Sequence, residues 1–75
     1  YEAIVKVLLE KGADVNAQGG RYGSALQTAS SYGHEAVVKV LLEKGADANA
    51  QGGWYGSALQ VASYNGHEAI VKVLL

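Results

Sequence analysis

A period of 33 residues governs this chain. Residues 1–42 align with residues 34–75, and eight of the 42 pairs differ: Tyr1/His34, Ile4/Val37, Val15/Ala48, Arg21/Trp54, Thr28/Val61, Ser31/Tyr64, Tyr32/Asn65 and Val37/Ile70. The remaining 34 pairs are identical. A unit of this length has no means of covering its own apolar face. It folds by stacking on its neighbours, so the repeat dictates a quasi-one-dimensional architecture. What recurs at one phase is scaffold, and what differs is where a specific partner is sought.

The composition removes the usual supports of a small fold. The 75 residues include no Cys, so disulfides and thiolate metal sites are excluded. There is no Met, so residue 1 is not a native start and the chain reads as a piece of something longer. No secretory pattern, membrane-length apolar run or Asn-x-Ser/Thr sequon occurs, which makes a cytoplasmic (intracellular) setting without a membrane partner the default expectation. The net charge is −1 with the signs interspersed, which is not the basic footprint of nucleic-acid binding. Half of the residues are hydrophobic and none is Pro, so the chain is expected to fold provided its ends are covered.

One repeat holds two helices. In residues 34–44, Val37, Val40, Leu41 and Lys44 recur at i, i+3, i+4, i+7, and Ala36 and Val38 widen the apolar face. Glu35, Lys39 and Glu43 form the polar stripe at i, i+4 spacing. Gly45 follows as the left-handed C-terminal residue. The same helix is predicted over 2–11 and 68–75. Ser24-Ala25-Leu26-Gln27 is a capping box opening a short helix over about 24–32, with Ala25, Leu26, Ala29 and Ser30 facing inward. Ser57-Ala58-Leu59-Gln60 repeats it. Between the helix pairs, residues 12–23 are rich in Gly, Asp and Asn and predict a projecting, hairpin-like loop.

The residues that carry chemistry elsewhere form no active constellation here. His34 and His67 lie one repeat apart with no carboxylate or Cys at ligand spacing, and read as structural turn residues. Ser30, Ser31 and His34 lack an acid placed to orient the imidazole, so no catalysis is expected. Gly19–Ser24 precedes a helix but lacks the Lys-Ser/Thr of a phosphate loop, and reads as a loop tip. No cofactor and no metal are expected.

The unit resembles the ankyrin repeat. The period carries the resemblance, together with Gly33-His34-Glu35, Val37-Val38-Lys39-Val40-Leu41-Leu42 and Gly45-Ala46-Asp47-Ala48-Asn49-Ala50. Ser-Ala-Leu-Gln replaces the family's Thr-Pro-Leu-His, so an amide stands where the family braces adjacent repeats with an imidazole. Gly19 and Tyr22 stand at the family's loop Asp and Gly. The Tyr-Gly-Ser-Ala-Leu-Gln variant, in near-identical copies, is similar to the ankyrin arrays of fungal NACHT-type, NLR-like receptors.

The resemblance implies an all-α ankyrin-repeat solenoid of five helices with short projecting loops. Its units are the second helix and loop of a partial repeat (1–15), a full repeat (16–48) and a truncated repeat (49–75). It implies a protein partner bound on the concave face by loop tips and inner-helix ends. Arg21/Trp54 falls at the tip, and Ser31/Tyr64 and Tyr32/Asn65 fall at the helix end. With the unchanged tip residues Tyr22 and Tyr55, these are the candidate partner-binding residues: Arg21, Tyr22, Ser31, Tyr32, Trp54, Tyr55, Tyr64 and Asn65. Trp, Tyr and Arg are the types enriched at binding hot spots. The competing expectation is that Trp54 merely packs on Tyr22 or Tyr55. A functional alternative is structural self-association, since both end helices carry Val and Leu faces and heterologous ends give open assemblies.

Overall fold

Ser24 and Ser57 set the inner layer of the fold. In the computed structural model, which describes residues 2–75, each caps a helix reciprocally with the Gln three residues on. Gln27 N donates to Ser24 Oγ at 3.3 Å, and Ser24 N donates to Gln27 Oε1 at 2.7 Å. The helices so opened are α2 (Ala25–Tyr32) and α4 (Ala58–Tyr64). Gly33 stops α2 at φ 77°, a conformation that costs glycine nothing.

The outer layer is α1 (Glu2–Glu10), α3 (Glu35–Glu43) and α5 (Glu68–Leu74). Tyr1, of the differing pair Tyr1/His34, lies outside the described residues. Each outer helix carries its expected i, i+4 ion pair: Glu2–Lys6 at 3.2 Å, Glu35–Lys39 at 3.1 Å and Glu68–Lys72 at 3.4 Å. These are exposed and contribute little beyond holding the polar stripe outward. The expected all-α repeat fold is thus present. The described residues hold five helices and no strand, only one isolated antiparallel bridge in each loop, Gly19↔Gly23 and Gly52↔Gly56.

Packing follows the two layers. Helix α2 lies against α3 and α4, α4 against α5, and α3 between α1 and α5. Leu26, Ala29, Val37, Val38, Leu41, Ala58, Ala62 and Ile70 form the core. Helix α3 buries Val37, Val38, Val40 and Leu41, whereas the nearly identical α1 buries none of its residues and α5 only Ile70. Burial here is a property of position in the stack, because only α3 has an outer helix on both sides.

Three inward assignments are corrected, those of Ala25 and Leu59 by the same cause. Ala25 is exposed although its equivalent Ala58 is buried, since Ala58 lies on the side of α4 that faces α2. Ala36 is exposed and does not widen the apolar face, which Val38 does alone. Leu59 is half-buried while Leu26 is fully buried.

Hydrogen bonds between repeats add to the apolar contacts. Asn16 donates from Nδ2 to Gly45 O at 3.2 Å and accepts at Oδ1 from Asp47 N at 2.7 Å. Its amide therefore ties the end of α3 to the loop before it. Asp14 and Asp47 close local turns by accepting from Asn16 N and Asn49 N, both at 2.9 Å.

One buried group works against stability. Ser30 is fully buried, and its Oγ lacks a hydrogen-bond partner among the described residues. Removing an unsatisfied buried hydroxyl recovers desolvation cost, so Ser30→Ala is expected to leave stability unchanged or raise it by about 1 kcal/mol. Urea unfolding measures this. A loss above about 1 kcal/mol would show that the hydroxyl is paired in solution.

Candidate functional site

Two loop tips stand one repeat apart, and backbone geometry holds them together. Gly19 N donates to Gly23 O at 3.0 Å and Gly52 N to Gly56 O at 2.9 Å, closing each tip. Trp54 N donates to Arg21 O at 2.7 Å, which seats the second tip on the first. Beneath them lies the buried Gln27 amide. Its Oε1 accepts from Ser24 N and from Gln18 Nε2, the latter at 3.2 Å. Its Nε2 donates to Gly52 O at 2.9 Å and to Gly56 O. One side chain thus caps α2 and anchors the next repeat's tip, so the amide does brace adjacent repeats.

Gly53 shows how tightly the tips meet. At φ 66° a Cβ there would stand 2.5 Å from Arg21 O and 2.7 Å from the Tyr22 carbonyl carbon. Gly20 occupies the same phase at φ 70°, with nothing within 4 Å of its Cβ position. Gly20→Ala is therefore expected to cost only the left-handed backbone strain, about 1–2 kcal/mol. Gly53→Ala adds a clash with backbone, which has no rotamer to yield, and should cost clearly more while parting the tips. Thermal unfolding of the two variants tests the difference. Equal losses would show that the tips are not in contact.

The side chains of the tips form a band of rings. The Arg21 guanidinium lies 4.6 Å from the centre of the Trp54 ring, a cation–π contact. Tyr22 stacks on Tyr55 across the repeats, centroids 6.4 Å apart and planes 17° apart. Tyr22 meets Tyr32 at 5.6 Å and 56°, and Tyr55 meets Tyr64 at 5.6 Å and 36°. The rings run Tyr32, Tyr22, Tyr55, Tyr64. Much of this band faces outward: Trp54 is 72 % exposed, Tyr64 75 %, Tyr32 59 % and Tyr55 37 %.

The Tyr32 hydroxyl donates to the Tyr22 hydroxyl at 3.3 Å. Accepting that bond favours the Tyr22 phenolate and sets its pKa below the ordinary tyrosine value, with the nearby Arg21 charge acting in the same direction. Donating it holds the proton on Tyr32 and sets that pKa above the ordinary value.

The structure divides the eight candidate residues. Arg21, Tyr22, Tyr32, Trp54, Tyr55 and Tyr64 compose the band. Ser31 does not share the expected exposure. It is buried, and its carbonyl accepts from Asn65 Nδ2 at 2.9 Å and bonds His67 Nε2 at 2.9 Å. Asn65 is exposed, but its amide is held in that inter-repeat contact. The carbonyl partner places a proton on His67 Nε2. His34 stacks on Tyr32 at 6.2 Å. Trp54 takes Arg21 as its ring partner, and Tyr64 joins Tyr55.

Asn16, Gln18 and Gln27 shape the site without standing out in the sequence as binding residues. Their signal was recurrence: each is repeated one period later, at Asn49, Gln51 and Gln60.

A search of curated proteins finds no match to the chain. The family model for ankyrin repeats (3 copies) matches residues 1–75, the whole of the sequence. Five helices in two layers, capped at each inner helix and joined by paired loop tips, agree with that match. The chain belongs to the ankyrin repeat family.

Proposed function

We propose that the chain is a recognition module that binds a protein partner through the ring band of its loop tips and inner-helix ends. Ankyrin repeats are generally protein–protein interaction modules and are typically non-enzymatic. The observation that carries the reading is the band itself. Most of its rings are exposed, and it spans two adjacent repeats. Such side chains offer large contact area at small entropic cost.

The units 1–15, 16–48 and 49–75 act as one segment of an array in this reading. Among the described residues no helix is long and apolar enough to cross a membrane. The near-identical copies and the Tyr-Gly-Ser-Ala-Leu-Gln variant support placement in an array of a cytoplasmic NACHT-type receptor. The test is selection of polypeptide ligands on the wild-type chain, followed by their affinity for an Arg21→Ala, Trp54→Ala, Tyr64→Ala triple variant. Ligands should lose at least about tenfold in affinity. Ligands that bind the folded triple variant equally well would overturn the reading.

One observation favours self-association as a second reading. Ile4, Val7 and Leu8 of α1 are exposed together, while their equivalents Val37, Val40 and Leu41 of α3 are buried under neighbouring helices. A helix of a second copy would cover that face as neighbouring helices cover α3. The isolated chain should then associate with rising concentration, and Leu8→Glu should shift it to smaller species in sedimentation velocity. Wild-type chain that stays monomeric throughout the concentration series removes this reading.

A further inference from the structure

Tyr32, Tyr22, Tyr55 and Tyr64 form one unbroken ledge, and we propose that this ledge takes a proline-rich segment of the partner in the polyproline II conformation. The proposal deepens the recognition reading above and rests on it.

The recurring ways of holding a peptide each need a particular surface, and this one lacks most of them. Strand addition needs a row of unpaired backbone groups. The tips provide only the bridges Gly19↔Gly23 and Gly52↔Gly56, each closed on itself. A bound helix needs an aliphatic trough. The exposed Ile4, Val7 and Leu8 lie on α1, whereas the band presents Trp54, Tyr32, Tyr55 and Tyr64. Acidic or phosphorylated motifs need a cluster of arginines. Arg21 is the single Arg of the chain, and its guanidinium lies on the Trp54 ring.

Polyproline II recognition needs what the ledge has. That helix makes no internal hydrogen bonds, so its carbonyls seek donors and its pyrrolidine rings seek flat faces. Tyr22 with Tyr32 and Tyr55 with Tyr64 supply two tilted ring pairs, joined by the Tyr22–Tyr55 stack. The Tyr55 and Tyr64 hydroxyls make no hydrogen bond among the described residues and stand ready as donors. A polyproline II segment is stiff before it binds, which keeps its ordering cost of association low. The ring contacts and the buried Gln27 amide below the tips hold the ledge in place.

The test is titration of the chain with a capped decaproline peptide, against a glycine–serine peptide of equal length. Ring resonances of Tyr22, Tyr32, Tyr55 and Tyr64 should shift with decaproline alone. Tyr64→Ala, at an exposed position that leaves the fold intact, should weaken binding about tenfold, and Tyr64→Phe by less because the ring remains. Ligands selected on the wild-type chain should carry prolines three residues apart, one turn of that helix. Selected ligands that need the ledge but lack proline, with decaproline silent, overturn this inference and leave the recognition reading standing. Ligands that bind the folded Arg21→Ala, Trp54→Ala, Tyr64→Ala variant as well as the wild type overturn both.

Discussion

Leu26→Ala is expected to destabilise the chain by about 2–5 kcal/mol, the range for truncating a fully buried leucine. Leu26 is 1 % exposed and packs among Ala29, Val37, Val38, Leu41, Ala58, Ala62 and Ile70, residues from four of the helices. Its removal leaves a hole shared by two repeats, and the capped helices around it have little freedom to close in. Small domains have total stabilities of roughly 5–15 kcal/mol, so a loss of this size is a large share of the whole. Leu59 occupies the same phase one repeat later and is half-buried. Leu59→Ala should cost distinctly less, because part of its surface is already in water and no enclosed cavity remains. Urea unfolding of the two variants measures both losses. Equal losses would show that the second repeat is covered in solution by another chain. A loss below about 1 kcal/mol at Leu26 would contradict its place in the core.

Trp54→Ala is expected to weaken partner binding by about 2 kcal/mol or more, while stability changes little. Trp54 is 72 % exposed and touches the fold through Arg21, whose guanidinium covers its ring. Exposed cation–π pairs contribute about 0.5–1 kcal/mol, and that is the loss expected in unfolding experiments. The opposite pattern, lost stability with unaltered affinity, is what a tip residue serving only to pack would give. The selected ligands of the wild-type chain serve as the binding probe, and both quantities are read on one variant. Arg21→Ala separates the roles further. It uncovers the Trp54 ring without removing it, so a partner that uses the indole face retains most of its affinity.

The 33-residue period, read with the capping boxes at Ser24 and Ser57 and the stop at Gly33, determined the number of helices, their order and the paired loops between them. These features are legible in sequence because they are local. A hydroxyl and an amide three residues apart find each other within one turn, and a glycine can take positive φ without strain. The ankyrin resemblance followed from the same recurring residues; Trp54, Tyr32 and Tyr64 were visible where the copies diverge, and Tyr22 and Tyr55 as the unchanged tip residues beside them.

What the sequence left undecided is everything that depends on a neighbour. Helices α1 and α3 differ at Ile4/Val37 within their shared span, yet one buries nothing and the other buries four residues. Ser31 and Tyr64 occupy one phase, yet the first is locked beneath Asn65 and His67 and the second stands in water. Gly20 and Gly53 share letter and φ, yet only Gly53 has another backbone against it. Tyr22 meets Tyr55 from 33 positions away, a pairing made by the stacking of the repeats. Identical sequence fixes identical local structure, but burial, strain and contact belong to the stack, where each copy has different neighbours on its two sides.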